Sequence, residues 1–168
     1  MDGSANSTHI IPKQEEKRIG VWIVGPPGSG KSTLCHAVRD ALSELRVHVV
    51  DSDDVHFKWA QGKTPSALAS DISDFCRGLS ARPLLVCSVE GPPDHDRWMV
   101  FGIDRSIIEC MRERPEAYAS WITGEEKGLR AIDNWRASGT VHHVLRGSQE
   151  EMVQQVADRI RQAWACST

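Results

Sequence analysis

The sequence has no apolar run approaching the length of a membrane-spanning helix, and its first residues lack the basic-then-apolar order of a secretory leader. Cysteine is sparse and unpaired in pattern. Cys35, Cys76, Cys87, Cys110 and Cys166 are odd in number and never form a C-x-x-C, so neither a disulfide framework nor a zinc site is indicated. Strong charge of one sign is missing too. A net charge of −3 sets up no field that draws in a polyanion, so charge does not favour a nucleic-acid partner, although a local basic groove can work within an acidic protein. Internal repeats and low-complexity segments are absent. What remains is ordinary globular material, expected in a reducing cytoplasm. Its 168 residues fit one domain that buries roughly two-thirds of its unfolded surface.

One stretch is far from ordinary. After the apolar run Ile19 to Val24 comes GPPGSGKST, Gly25 to Thr33, in which Gly25, Gly30, Lys31 and Ser32 fill every fixed position of G-x-x-x-x-G-K-S/T. Glycines let successive backbone N–H groups turn inward around an anion, and the following helix aims its partial positive charge at the same point. The spacing therefore makes Gly25, Pro26, Pro27, Gly28, Ser29, Gly30, Lys31, Ser32 and Thr33 the expected ATP-binding segment. Lys31 reaches the β and γ phosphates, and the Ser32 hydroxyl is placed for magnesium. The bland reading, a Gly/Pro turn that happens to carry a lysine, lacks the strand before and the helix after that this sequence supplies.

Around that loop the chain alternates. Strands are expected at Ile19–Val24, Val47–Val50, Leu84–Val89, Trp98–Ile103 and Val141–Leu145, and helices at Lys31–Leu45, Pro65–Leu79, Asp104 to about Arg114, and Ser148–Trp164. The last helix carries a capping box, Ser148 with Glu151, and apolar residues every four positions at Met152, Val156, Ile160 and Trp164. Such alternation implies an α/β fold: a five-stranded parallel sheet with helices on both faces and ligands at the carboxyl ends of the strands. Residues 1–17 are expected to be a disordered polar tail, leaving 18–168 as the single domain. The stretch about 115–139, charged and without a clean strand, is expected to form a helical lid.

Beyond the second strand stands VVDSDDVH, with Asp51, Asp53, Asp54 and His56 at the ligand edge of the sheet. One acid there can take a proton from an acceptor hydroxyl and another can hold magnesium through water. The same residues also read as a solvated acidic turn capping the next helix. On the functional reading Asp53 shares a face with Asp51 if the strand continues, making it the candidate base, with Asp54 toward magnesium. Glu90, just past the third strand, has two readings of equal weight: the acid that orients water on magnesium, or a strand-ending acid without a role.

The phosphate loop followed by D-x-D-D-V-H resembles the small P-loop kinases. Gluconate kinase has a similar Asp-Asp-Leu-His, and adenylylsulfate kinase and the 5′-hydroxyl polynucleotide kinases are similar there, with arginine in place of His56. LLVCSVEG resembles the third strand of gluconate kinase through Cys87 and Ser88, with Glu90 and Gly91 where that family has lysine. The resemblance covers the nucleotide-binding core, about Ile19 to Arg114, and the last strand and helix. It implies the P-loop NTPase fold, ATP and Mg2+, and a catalytic role for the acid matching Asp53. IDRSIIECMRER places Arg105, Arg112 and Arg114 on or beside a helix where similar kinases carry lid arginines, which implies that role for Arg112 and Arg114; a solvated helix face is the competing reading, and Arg130 and Arg136 are weaker candidates. Of six tryptophans, Trp22, Trp98 and Trp164 fit the core pattern. Trp59, Trp121 and Trp135 fall in the acceptor and lid regions, where packing is weighed above base stacking. His142 and His143 have no ligand partners at metal spacing.

The expected function is that of an ATP-dependent kinase, moving the γ-phosphoryl group to an alcohol on a small metabolite such as a sugar acid. Two alternatives stay open: a nucleotide or nucleic-acid hydroxyl as acceptor, including a 5′ end or hydroxymethylated base, and a nucleotide-binding regulatory ATPase with no acceptor.

Overall fold

The structure, a computed structural model, describes residues 20–26, 28–52, 65–79, 83–105, 107–118 and 139–166. The expected tail (1–17) and nearly all of the expected lid lie outside the described residues. So do Pro27, Asp53, Asp54, His56, Trp59, Trp121, Arg130, Trp135 and Arg136.

Five strands form one sheet: β1 (Gly20–Val24), β2 (His48–Asp51), β3 (Leu84–Ser88), β4 (Met99–Ile103) and β5 (His143–Leu145). Their order is β2-β3-β1-β4-β5 and every pairing is parallel, as the strand–helix alternation implied. The described helices are α1 (Lys31–Ala41), α2 (Pro65–Arg77), α3 (Ile107–Glu113) and α4 (Gln149–Ala165).

A strand sends successive side chains to opposite faces, and the sheet therefore has two cores. Val21, Ile23, Leu85, Cys87, Phe101 and Leu145 point one way, against Leu34, Cys35 and Val38 of α1 and Met152, Val156 and Ile160 of α4. Trp22, Val24, Val50, Val86 and Val100 point the other way, against Ala69, Ile72 and Cys76 of α2. Burying strands on both sides demands the near-continuous apolar runs that GVWIV and LLVCS supply.

The second core is closed by two indoles. Trp22 and Trp98 meet edge to face with centroids 5.0 Å apart. Gly20 makes room for them: a Cβ there would lie 2.7 Å from Trp98 Cε3. Both indole N–H groups find acceptors, Trp22 on the Glu90 carbonyl at 3.0 Å and Trp98 on Asp94 Oδ1 at 3.3 Å. Helix α4 begins on the capping box read from the sequence, with Ser148 Oγ accepting from the Glu151 N–H at 3.2 Å and Glu151 accepting from the Ser148 N–H at 3.2 Å. Gly147 sits at φ 101°, a conformation that L side chains rarely adopt, and a Cβ there would also push the Glu151 carboxylate out of its capping position.

Most element boundaries differ from the sequence reading by one or more residues, and three of the larger differences have a visible cause. Helix α1 stops at Ala41, where Leu42 leaves the helical region. A 3₁₀ turn at Ser43–Leu45 then leads to Arg46 in the left-handed region, φ 52°. Helix α3 begins at Ile107 rather than Asp104, because the Asp104 N–H still bonds to the sheet through the Leu145 carbonyl at 2.9 Å. Strand β5 begins at His143. Val141 and His142 precede it, and the His142 ring itself accepts the Val100 N–H through Nδ1 at 3.2 Å.

Candidate active site at the carboxyl edge of the sheet

Strand β1, central in the sheet and fully buried from Val21 to Val24, delivers the chain directly into the glycine-rich loop. Gly25 is enclosed: a Cβ would lie 2.8 Å from Ser29 Oγ, 3.3 Å from Ile103 Cβ and 3.4 Å from Lys31 Cγ. Gly28 and Gly30 take φ 72° and 89°, conformations that turn backbone N–H groups inward and that L side chains rarely adopt. A bond from the Ser29 N–H to the Pro26 carbonyl, 3.1 Å, closes the turn. Helix α1 then starts on Gly30 with no side-chain cap and no acid in its first turn, so its positive end opens into the loop.

The side chains follow from this backbone. Lys31 is half-buried and donates from Nζ to the Pro26 carbonyl at 2.9 Å, which folds the ammonium group back over the loop. Ser32 is half-buried in the first turn of α1, its Oγ 4.0 Å from Cys87 Sγ on β3; Thr33 is exposed. Ser29 Oγ is buried with no hydrogen-bond partner among the described residues, an orphan at the heart of the cradle. A concave nest of inward N–H groups, an orphaned hydroxyl and an ammonium group at a helix N-terminus fits a polyphosphate.

The neighbouring strand ends complete the edge. Asp51 closes β2 in register with Cys87, and the Ser52 N–H bonds to the Cys87 carbonyl at 3.1 Å. Past β3, the Glu90 carboxylate accepts the Ser66 hydroxyl from the first turn of α2, at 2.8 and 2.9 Å to its two oxygens. Past β4, Asp104 pairs with Arg146 at 2.7 Å and Arg105 pairs with Glu113 of α3. That second pairing raises the Arg105 guanidinium above its ordinary range. Arg112 and Arg114 are exposed at the end of α3. Burial pushes the Cys110 thiol of the same helix up, with Arg105 and Lys31 opposing it.

Four further residues surround the loop, and of these only Cys87 carries a sequence signal, through the likeness of the third strand. Cys87 meets Ser32 only because β3 lies beside β1, and Cys35 stands one helical turn beyond Ser32. The hydrogen bond to Cys87, followed by burial, holds the Cys35 thiol well above the usual range. Gln149 comes to Gly30 from the far end of the chain, its Oε1 3.9 Å from where a Gly30 Cβ would sit; its Nε2 is buried without a partner among the described residues. Ser66 is found only through its bond to Glu90. Strand order brings Cys87 to the loop, helix packing brings Ser66 and Gln149 to the same edge, and Cys35 arrives with Ser32 on α1.

A phosphate-binding glycine loop at the carboxyl end of the central strand of a parallel sheet defines a P-loop nucleotide-binding fold. Within that class the chain resembles the small P-loop kinases in fold and in sequence. It is 25% identical to an adenylyl-sulfate kinase of Escherichia coli O1:K1 over 94% of this chain and 92% of that protein. The APS kinase of Mycobacterium tuberculosis, solved with AMPPNP and APS, shares the fold with a TM-score of 0.57 at 21% identity, over 86% of this chain and 98% of that one. A gluconokinase from Sinorhizobium meliloti 1021 does so with a TM-score of 0.53 at 12% identity, over 88% and 98%. The sequence matches no protein-family model.

Proposed function

We propose that the protein is an ATP-dependent kinase that transfers the γ-phosphoryl group to a hydroxyl of a small metabolite. The observation that carries this reading is the loop itself. Gly28 and Gly30 in positive φ, with Lys31 and Ser32 at the uncapped start of α1, form a polyphosphate cradle at the carboxyl edge of the sheet. In this reading Gly25 to Thr33 hold the ATP phosphates and Lys31 neutralises charge on the transferring group.

Magnesium would neutralise the β and γ oxygens when bound, with Ser32 as its ligand from the protein. Among the described residues no three His, Cys, Asp or Glu side chains cluster as a metal cage. Ser66 supplies Glu90 with a single proton, so the Glu90 carboxylate keeps lone pairs for metal-bound water. Asp54 is proposed beside it, and Asp53 as the base that orients the acceptor hydroxyl. Arg112 and Arg114, at the end of α3, enter as charge-stabilising residues next to a lid at about 115–139.

A sugar acid is the acceptor class that the gluconate kinase likeness supports. A nucleotide acceptor is the second reading, supported by the adenylyl-sulfate kinase likeness along 94% of the chain. Phosphate transfer from labelled ATP, screened across sugar acids, nucleotides including adenylyl sulfate, and oligonucleotides, separates them. Turnover that is indifferent to every acceptor would replace both with a regulatory ATPase.

A further inference from the structure

We propose that Cys87 is a positioning residue for the Ser32 hydroxyl: its sulfur, backed by the Cys35 thiol, accepts the Ser32 O–H hydrogen bond and leaves an oxygen lone pair turned toward the nucleotide's magnesium. The inference rests on the kinase reading. A hydroxyl that ligates a cation gives it an oxygen lone pair, so its proton needs an acceptor elsewhere. Cys87 Sγ stands 4.0 Å from Ser32 Oγ, within reach of a hydrogen bond to sulfur.

The position is fixed from both sides. Cys87 is 1% exposed and lies in register with Ile23 of β1 and Asp51 of β2, so its sulfur has little freedom to move away. Cys35, fully buried three residues after Ser32 on α1, closes the group. It remains protonated, held up by its hydrogen bond to Cys87 and by burial, and so keeps an S–H to offer the same sulfur. Sulfur is too soft to compete for magnesium, and it therefore stays behind the hydroxyl rather than replacing it. The site also asks for a neutral group. Cys87 belongs to the core that contains Leu34, Val38 and Leu85, where a carboxylate would carry a heavy desolvation cost.

The test measures binding of a fluorescent ATP analogue in EDTA and across a magnesium titration, with thermal unfolding as the check on folding. Cys87→Val removes the acceptor at similar volume, and Cys87→Ser keeps an acceptor. In Cys87→Val the magnesium concentration for half-maximal enhancement of binding should rise about tenfold, the low end for a residue behind a metal ligand. Binding in EDTA should stay unchanged, and Cys87→Ser should lie near the unmodified protein. In a Ser32→Ala background, Cys87→Val should have no further effect, since the partner is gone. An unchanged magnesium dependence, an equal shift in the Ser32→Ala background, or an equal loss with and without magnesium would each overturn the proposal. If the unmodified protein binds no nucleotide at all, the kinase reading falls with it; nucleotide binding with a silent Cys87→Val removes this inference alone.

Discussion

Replacing Asp94 with alanine tests how the segment between β3 and β4 is held onto α2. Asp94 Oδ1 accepts from Ser73 Oγ at 2.9 Å and from Trp98 Nε1 at 3.3 Å, and Arg77 approaches Oδ2 at 3.6 Å. The three contacts are not equal. Ser73 is 2% exposed and Trp98 8%, so Asp94→Ala removes the acceptor of two buried donors, which water reaches only in part through the 23% exposed Asp94 site; the Arg77 side chain is 59% exposed, where an ion pair contributes little. An unsatisfied buried donor costs about 1–3 kcal/mol, and the longer Trp98 bond belongs at the low end, giving a total of about 2–4 kcal/mol. For a domain of this size that lowers Tm by roughly 4–15 °C. Arg77→Ala should stay within about 1 kcal/mol of the unmodified protein. Burial works to raise the Asp94 carboxyl, but hydrogen bonds from Ser73, its own backbone and Trp98 together hold it below its ordinary range. Its stabilisation is therefore present above the unfolded value, about 3.9, and is lost as pH falls through the lower folded value. Urea unfolding followed from neutral pH into acid should show the gap between Asp94→Ala and the unmodified protein narrowing. A gap below about 0.5 kcal/mol at neutral pH, or one that widens in acid, would refute the account.

Three further outcomes are expected at the site. Lys31→Ala should abolish phosphate transfer while the unfolding transition stays in place, since the proposed role of Lys31 is to neutralise phosphate charge; turnover near the unmodified rate would end the kinase reading. Asp53→Asn should cut acceptor-dependent turnover by roughly a hundredfold or more with nucleotide affinity unchanged, and Asp54→Asn should be milder; a reversed order would hand the role of base to Asp54. Arg112→Ala and Arg114→Ala should reduce turnover more than nucleotide affinity, and equal losses in both would mark ground-state or structural roles.

The architecture was legible because each element carries its own local signal. The apolar run into Gly25, the capping box at Ser148 and the four-residue spacing of Met152, Val156 and Ile160 each specify structure without help from distant residues. The end of α1 was not legible, since SELR has no glycine or proline to announce the left-handed turn at Arg46. The start of β5 was obscured for another reason: a histidine side chain stands in for a strand carbonyl toward Val100, which no periodicity records. Strand order was hidden as well. Alternation implies a parallel sheet but says nothing of β3 inserting between β1 and β2, and that insertion brings Cys87 to Ser32. The phosphate-loop residues were readable as a contiguous motif, whereas Ser66 and Gln149 join the edge through tertiary approach alone.

The buried course of β1 also sets a contrast in hydrogen exchange. Amides of Val21 to Val24, paired on both sides within the sheet and sealed under two cores, should exchange only through global opening. The loop is anchored to that strand at one end and to α1 at the other. On the proposed reading, a polyphosphate bound at Gly28 to Ser32 should add protection in the loop and the first turn of α1 and leave the β1 amides as they were.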